Sequence, residues 1–594
     1  VQHYLVTTAT NYFSEKFGSK VQIGSVDYAL FNKVLLQEVY LEDLKGDTLL
    51  YAETLKMGFK PLDLLQNKVI CNYIELKNSN INLVLDKKKV LNASHIFNYF
   101  KTNKTESKVT YQLQNITITN TRFKYSNLTA RPKNKGFDKN YVQISGLNGK
   151  FDIHQLTNNY LSCDINSLSF FEKSGITLSD FKASITANKT RARIENLQLK
   201  LPHSFVDFSP VIINYGHLKN LQKEAEKVQL NFMIKPSEIA FRDLKAFSPL
   251  FERTRGKIYL STQFKGCLGD MKIKNLALSY NNDISLRGDI NLIGLPKIGE
   301  TYIYTKIRSI KTDKNKLQDL MSNVLGRPIQ LPDEMSKLGI IQYKGNISGF
   351  FSDLVVFGTI KTAVGIISTD LLMGVHNNFT GINYSGSVHT KELKIGALFG
   401  EQSGVGNIDF NISSEGSIQQ KGNIKGTLEG TVSSLIFKNY NYKNIDLKGD
   451  FNKKVFDGIV SLNDENAQFD FNGKIDFSER LPSGKFKMQV KKLNLEKTNI
   501  TKKHKDLTLA LNINTSFTGS KIEETDTEIL IDSFYLYTKE KELFSKKMHI
   551  SSTIYDSINV LKINSDLIKG TVKGSYSFLS LGKSLTKMMA NYLP

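Results

Sequence analysis

The sequence predicts a mainly β protein, an elongated and twisted antiparallel sheet that curls into an open apolar groove and carries a few short helices. Three observations predict this fold class. Apolar and polar residues alternate with a period of two along most of the chain, as in strands with one wet face. Gly, Asn and Asp cluster between the alternating segments, where hairpin turns need them. Segments with helical periodicity are few.

The length of 594 residues argues against one compact core, because hydrophobic cores stop growing at roughly 250–300 residues. We therefore predict a body built by serial addition of hairpins. Residues 1–90 are expected to hold an N-terminal helix and the first strands, and residues 91–227 to continue the groove. Residues 228–594 are expected to repeat similar hairpins, because the alternation is densest there.

The alternation assigns side chains to two opposite faces of the predicted sheet. Residues 469–477 and 507–513 show it over long stretches, and residues 74–77 and 228–232 repeat it. Since residues i and i+2 share a face, one face should carry Ile74, Leu76, Leu83, Leu85, Leu230, Phe232, Phe471, Ile475, Met488, Val490, Leu509 and Leu511. The other face should carry the polar neighbours Glu75, Lys77, Asn231, Asn472, Lys474, Gln489 and Asn512.

The apolar face must be covered, because a sheet buries one side. The helices are too few to cover it, so the sheet closes on itself or holds a ligand. Acyl chains would fit a twisted apolar trough, since each buried methylene contributes about 0.8 kcal/mol without directional bonds. We interpret the apolar set as the lining of a lipid groove.

Five segments have helical character. Residues 1–17 place Val1, Tyr4, Leu5, Tyr12 and Phe13 on one stripe before Gly18, a suitable C-terminal cap. We expect this helix to lie across the open end of the sheet with that stripe against apolar side chains. Residues 237–247 follow Pro236, with Ser237 as the predicted N-cap. Residues 94–100, 312–325 and 583–593 are the other three.

One short phrase recurs near predicted strand ends: an aromatic residue, any residue, then glycine. It occurs at residues 264–266, 343–345, 471–473 and 517–519. Ordinary turn chemistry explains the phrase in any β protein, and serial addition of similar hairpins explains it equally well.

Signals of catalysis, metal binding or cofactor binding are weak throughout, so we predict a non-enzymatic protein with no cofactor, no metal and no catalytic residue. The nine histidines are scattered, and the three cysteines form no CxxC pair. Lys583-Ser584 lacks the upstream glycine of a P-loop, because Ser577 stands there. Gly404-Val405-Gly406 lacks the third glycine of a dinucleotide site. Asp470 and Asp476 are expected on the solvated face.

The formal net charge of +22 has two interpretations. Lysines spread along the chain in ones and twos favour solvated strand ends that discourage aggregation. Attraction to an anionic membrane surface is the alternative. We predict no nucleic-acid partner, because arginine, which reads bases and phosphates bidentately, is scarce.

The sequence starts at Val1 rather than at methionine and contains no run of 18 apolar residues. We expect a signal or membrane anchor upstream of Val1, and a C-terminal portion beyond Pro594.

The first 86 residues carry the most specific pattern in the chain. An amphipathic helix leads into the alternating segments 21–26, 34–43 and 46–52, and then into residues 55–57, 61–65 and 74–76. This pattern resembles the start of the AsmA-like family, in particular its TamB branch, which is related to chorein-type bridge lipid-transfer proteins. Residues 344–349, 426–430 and 490–495 also resemble repeats of that branch.

The resemblance implies a protein in the periplasm, anchored in the inner membrane of a diderm bacterium. It implies a conduit that moves phospholipids between the inner and outer membranes by holding their acyl chains in an apolar β-groove. The alternative that it implies is an assembly factor for outer-membrane β-barrel proteins and autotransporters, with an outer-membrane barrel partner of the TamA type. A β-helix adhesin or polysaccharide enzyme is a third possibility, although the absence of tryptophan argues against sugar stacking.

Overall fold

The computed structural model describes residues 2–574 with short gaps, at 30–32, 60–67, 103–109, 158, 218–219, 221–223, 248–250, 252–253, 326–327, 351, 376–380, 400–402, 420–422, 479–480, 503–504, 520–525 and 556–557. Strands account for 67% of the protein and helices for 10%. The prediction of a mainly β fold is therefore confirmed. The candidate helix at 583–593 lies outside the described residues.

The chain divides into two compact units, Val1–Thr301 with Lys316–Ile329, and Tyr302–Asn315 with Gln330–Pro594. The divisions predicted after residues 90 and 227 both fall within the first unit, where they remain predictions.

The first unit has seventeen described strands and most of three helices. The helices are α1 (Gln2–Phe17), α2 (Ser94–Thr102) and α3 (Lys314–Leu325), the last counted from Lys316 in this unit. The strands are β1 (Val21–Gln22), β2 (Ser25–Ala29), β3 (Lys33–Glu42), β4 (Thr48–Phe59), β5 (Lys68–Leu85), β6 (Thr110–Asn127), β7 (Tyr141–Leu156), β8 (Tyr160–Glu172), β9 (Thr177–Leu178), β10 (Asp180–Asn188), β11 (Arg191–Lys200), β12 (Phe205–Asp207), β13 (Val211–Asn214), β14 (Gln229–Ala240), β15 (Lys257–Cys267), β16 (Asp270–Tyr280) and β17 (Ile284–Ile293).

Strands of the first unit pair mostly with the next strand in the chain, and these pairings are antiparallel. The pair β5–β6 is parallel, which corrects the prediction of a purely antiparallel sheet. Parallel neighbours need a crossover connection, and the segment between β5 and β6 contains α2.

The second unit has seventeen described strands and the short helix α4 (Gly396–Phe399). The strands are β18 (Tyr302–Thr312), β19 (Ile341–Phe350), β20 (Asp353–Thr362), β21 (Gly365–Val375), β22 (Gly381–Lys391), β23 (Val405–Gln419), β24 (Ile424–Phe437), β25 (Tyr440–Tyr442), β26 (Ile445–Asn452), β27 (Val455–Asn463), β28 (Ala467–Asp476), β29 (Ser483–Asn494), β30 (Thr508–Thr518), β31 (Asp526–Tyr537), β32 (Glu542–Tyr555), β33 (Ile558–Ser565) and β34 (Lys569–Lys573). Their described pairings are antiparallel and follow chain order. This is the arrangement expected from serial hairpins.

Helix α1 forms as predicted and ends before Gly18, which has a left-handed φ of +63°. It packs on β1 and β2 through Val6 and Phe17. The predicted stripe is wrong at three positions, because Tyr4 is 74%, Tyr12 50% and Phe13 37% exposed. The side chains of Val1 and Leu5 lie outside the described residues.

Residues 237–247 do not form the predicted helix. Strand β14 runs through to Ala240, and a short 3₁₀ turn, Phe241–Leu244, follows. Pro236 lies in a register shift between Ile234 and Ser237, and a bulge is where a strand tolerates proline. The Ser237 hydroxyl donates to the Lys235 carbonyl oxygen at 2.7 Å instead of capping a helix. Helices α2 and α3 confirm the other two described segments.

Candidate functional site

The apolar face of the second unit is organised in rows that run across the strands. One of these, the central row, joins fourteen residues by successive strand pairings from β18 to β32. Its members are Ile307, Gly345, Gly358, Thr369, Val388, Ile412, Gly430, Leu447, Val460, Phe471, Met488, Ile513, Ile531 and Met548. Directly paired residues lie on the same face of a sheet, so the row is one strip of that face.

The central row contains no ionisable side chain, and Thr369 is its one hydroxyl. Each member is buried or half-buried. The closest backbone neighbours of these strands are the adjacent strands of the same sheet. Side chains converge on the concave side of a curved sheet and shield one another, and the extended sheet is consistent with such a groove.

The opposite face of the same strands is mostly polar and exposed. The next row along carries Lys306, Asp370, Glu429, Lys448, Asn472, Lys487 and Asn514, all of them exposed. Phe357 and Ile459, which are 57% and 50% exposed, and Leu530 interrupt this polar row. The predicted outward residues of this unit, Asn472, Lys474, Gln489 and Asn512, are exposed as well. The alternation read from the sequence therefore separates the two faces in the folded chain.

The structure brings the six predicted lining residues of the second unit to the apolar face. Phe471, Val490 and Leu511 are buried there, whereas Ile475, Met488 and Leu509 are half-buried. Met488 and Leu509 pack around the cluster formed by Val490, Leu511 and Ile531. The three buried residues thus support the fold, and the three half-buried residues leave apolar surface accessible.

In the first unit, Ile74 pairs with Met57 on β4 and with Ile116 on β6. Leu76 pairs with Leu55 on β4 and with Ile118 on β6. Leu76 packs against the buried cluster that includes Leu36 and Ala52.

The alternation in β5 is interrupted between Leu76 and Leu83. The spacing from Leu76 to Leu83 is odd, so an unbroken strand would point them to opposite faces. The pairing with β4 omits Asn78, whose φ is +47°, together with Glu53 opposite it, and the register is the same on both sides of this point. The left-handed residue therefore interrupts the alternation without a shift in register. Ser79, next to Asn78, is buried and shares a hydrogen bond of 2.6 Å with Thr121.

Leu230 and Phe232 also lie on the apolar face of the first unit. Leu230 pairs with Ile213 and Gly266, and Phe232 stacks on the Phe264 ring at 4.8 Å between centroids. Their neighbour Asn231 is exposed, as predicted, and so is Lys77. Glu75 is half-buried, because it accepts a hydrogen bond from the Tyr73 hydroxyl at 2.5 Å.

Sequence reasoning missed a set of glycines that face each other across strands on the apolar face. The pairs are Gly345–Gly358, Gly416–Gly426 and Gly449–Gly458. Rings lie over them: a Cβ at Gly358 would come within 2.9 Å of the Tyr343 ring, and one at Gly458 within 2.9 Å of the Phe456 ring. The aromatic-x-glycine phrase was the available signal.

The aromatic-x-glycine phrase occurs in two different structural positions. At 343–345 and 471–473 it lies in the middle of a strand rather than near its end. At 264–266 and 517–519 it lies at a strand end, where Gly266 and Gly519 have positive φ. The turn interpretation therefore holds for two of the four copies.

Asp470 and Asp476, the two carboxylates singled out in the sequence, are each bound by other side chains of the polar face. Asp470 accepts a hydrogen bond from Lys491 at 2.7 Å and one from Ser461, and these hold the pKa of the carboxyl below its usual range. Hydrogen bonds from Ser478 lower the pKa of Asp476 in the same way. Both groups are held as ordinary solvated carboxylates.

Depressions in the described part of the chain occur on the polar face as well. The first unit has one of about 670 Å³ lined by Asn80, Arg122, Lys124, Gln143 and Lys173 among others. The second unit has one of about 470 Å³ near Lys306, Arg308 and Asp370. Both are open, and apolar side chains such as Phe171 in the first and Phe357 in the second share their lining with the polar ones. Neither offers the enclosed surface of a small-molecule site.

Among the described residues, no group of three or more His, Cys, Asp and Glu side chains could hold a metal ion. No described helix is long and apolar enough to cross a membrane. Comparison of the chain with family models, curated proteins and solved structures gives no match.

Proposed function

We propose that this protein carries lipid acyl chains on its concave apolar face and moves phospholipids between the inner and outer membranes. The observation that supports this most is the central row, an apolar strip without ionisable groups that crosses the strands from β18 to β32. Its residues are half-buried at most positions, so apolar surface remains for a ligand.

The physics of such a strip suits transport more than tight binding. Each acyl methylene that leaves water contributes about 0.8 kcal/mol, so a long chain is held firmly. Apolar contacts have no preferred direction, so the chain can slide between adjacent strands without breaking a hydrogen bond. The polar headgroup would remain outside, in water.

The resemblance of residues 1–86 to the AsmA-like family supports the same proposal. The structure has the helix and the short strands that carry the resemblance, α1 and β1 to β5. On the basis of this resemblance, we also propose that the protein lies in the periplasm, is anchored in the inner membrane and is not an enzyme.

The test is a charge placed on each face of the same strand. Met488→Asp puts a carboxylate in the central row, between Phe471 and Ile513. Because Met488 is half-buried, the carboxylate can recruit water and the fold should survive. We expect this variant to lose most of its co-purified phospholipid and its transfer of lipid between vesicles.

The matched control is Gln489→Asp, which places the same charge one residue away on the exposed face. It should keep lipid content, transfer and melting temperature. Leu509→Asp, also half-buried, is a second groove variant in case Met488→Asp does not fold. Retained fold with unchanged lipid content and transfer in both groove variants contradicts the proposal. That outcome would favour the alternative, assembly of outer-membrane proteins.

A further inference from the structure

We propose that one rim of the first unit docks onto the surface of an anionic lipid bilayer. Successive strands bring six connections to the same end of the sheet: residues 43–47, 86–93, 128–140, 173–176, 201–204 and 241–256. We call these connections the basic rim. The inference does not rest on the lipid groove, because it concerns strand ends rather than the apolar face.

Carboxylates of the basic rim are folded inward onto their own loops. Asp43 accepts hydrogen bonds from the backbone N–H groups of Lys45 and Asp47, at 2.8 and 3.1 Å. Asp86 does the same for Lys88 and Val90, at 2.8 and 2.9 Å. These carboxylates stabilise the turns and keep their charge, but their oxygens are directed to the backbone of their own loops.

Three other connections repeat the arrangement. Asp138 accepts from the backbone N–H groups of Lys133 and Asn140, which hold the pKa of its carboxyl below the usual range. Glu172 is buried and accepts from the Ser174 backbone N–H at 2.7 Å. Asp243 accepts from the Ser204 hydroxyl at 2.6 Å.

The cationic side chains of the basic rim are directed into solvent. The exposed set is Lys45, Lys87, Lys88, Lys89, Arg131, Lys133, Lys135, Lys139, Lys173, Arg242, Lys245 and Arg255. Asp47 is the exposed carboxylate among the described residues of these connections. The next connection at this end, residues 281–283, adds exposed Asp283, which pairs with Lys316 at 3.6 Å. The rim therefore presents a strong excess of positive charge.

Exposed apolar side chains stand among these cations. Leu44 is 64% exposed beside Lys45, and Val90 is 51% exposed beside Lys89. Leu128 and Phe247 are 44% and 57% exposed in their own connections. An exposed apolar residue next to lysines is the pattern of surfaces that insert shallowly into anionic membranes.

The connections are tied to one another, so the pattern belongs to one surface. The Asn92 side-chain amide donates to Asp43 at 3.2 Å. The backbone N–H of Leu128 donates to the Leu85 carbonyl oxygen at 2.9 Å, and that of Phe137 to the Ala246 carbonyl oxygen at 2.7 Å.

The depression of about 670 Å³ on the polar face opens beside this rim, since Thr48 and Lys173 line it. Arg122 and Lys124 also line it, and its walls contain no carboxylate. This is a second, independent feature that favours an anionic partner, and its cations suit a lipid phosphate.

A bilayer fits better than another polyanion. Nucleic acid would use the cations, but of the four exposed apolar residues named above only Phe247 offers a ring for base stacking, and Leu44, Val90 and Leu128 are aliphatic. An interface of headgroups and acyl chains uses both the charges and the aliphatic side chains.

The experiment is vesicle flotation of the full 594-residue chain, with vesicles of phosphatidylcholine alone or mixed with phosphatidylglycerol. The wild type should bind the mixed vesicles, and binding should weaken as salt rises. Lys87→Gln/Lys88→Gln/Lys89→Asn should weaken binding to mixed vesicles by roughly a hundredfold, since each lysine near an anionic leaflet contributes about fivefold. Asn is chosen at Lys89 because that residue has a φ of +62°.

The control replaces three exposed lysines of the second unit, Lys454→Gln/Lys487→Gln/Lys541→Gln. It removes the same charge and should bind like the wild type. Leu44→Ser/Val90→Ser should weaken binding without changing its salt dependence. Equal binding to neutral and mixed vesicles, or equal loss in the rim and control variants, overturns the proposal. Rim-dependent binding to an oligonucleotide without vesicle binding overturns it too. Loss of lipid transfer in Met488→Asp leaves this result unchanged, so the two proposals fail separately.

Discussion

Strands β19 to β27 and strands β28 to β32 build the same apolar face of the second unit in two different ways. In the earlier strands, glycines face one another in pairs, and Tyr343 or Phe456 lies over them. In the later strands, Phe471, Met488 and Ile513 fill the central row directly. Large rings over small residues and interlocking large residues bury similar surface, but they respond to substitution in opposite ways.

The largest effect is expected in the glycine-paired strands. A Cβ at Gly358 would lie 2.5 Å from the Lys344 carbonyl oxygen and 2.8 Å from the Gly345 Cα. Gly358→Val should therefore destabilise the protein by about 3 kcal/mol, because the backbones must separate. Urea denaturation measures it.

Gly570→Val is the matched control, because nothing lies within 4 Å of a Cβ at Gly570 and valine favours strands. It should leave the free energy of unfolding nearly unchanged. Equal losses in the two variants would mean that the close approach of strands at Gly358 is not what limits the side chain.

In the later strands, truncation rather than enlargement should be costly. Met488→Ala should destabilise by about 2 kcal/mol, since it removes apolar contact and leaves a cavity beside Phe471. Gln489→Ala, on the exposed face, should change stability by less than about 0.5 kcal/mol. Similar values for both would show that the two faces of β29 are not distinct. Urea denaturation again gives the comparison.

The smallest effect concerns the hydroxyl of Tyr343, which donates to the carbonyl oxygens of Asn346 and Phe357 at 3.2 and 3.3 Å. Tyr343→Phe should cost about 1 kcal/mol. Burial raises the pKa of Tyr343 above its ordinary value of 10.0. The unfolded chain therefore loses this proton first as pH rises, and the stabilisation is present below pH 10 and lost above it.

The measurement is the difference in melting temperature between Tyr343→Phe and the wild type from neutral pH to above pH 10. The wild type should lose its advantage in the alkaline range. A constant difference across that range would mean that Tyr343 does not titrate differently in the folded protein.

The faces of the strands could be predicted from the sequence because the period of two is local. Phe471, Met488 and Val490 were assigned correctly for that reason. For Leu83 and Leu85 the alternation is interrupted at Asn78, which has a positive φ, and this interruption was not foreseen. The sequence around Asn78 does not mark it, because asparagine is also common in ordinary turns.

Features set by tertiary packing were not predictable. The glycine pairs need the register between strands, and the buried side of α1 depends on which strands it meets. At residues 237–240, pairing of β14 with β15 outweighs the local helix signals of Pro236 and Ser237. The parallel pairing of β5 with β6 likewise leaves no signal in the local sequence of either strand.

The most direct test of the central claim is to find where an acyl chain lies on the protein. A phospholipid with a photoreactive group on its acyl chain would be loaded onto the purified wild type, crosslinked and mapped by peptide mass spectrometry. We expect adducts on central-row residues such as Val388, Met488 and Ile513, and none on the exposed Lys487, Gln489 or Asn514. Adducts divided equally between the two faces, or confined to the polar face, would contradict it.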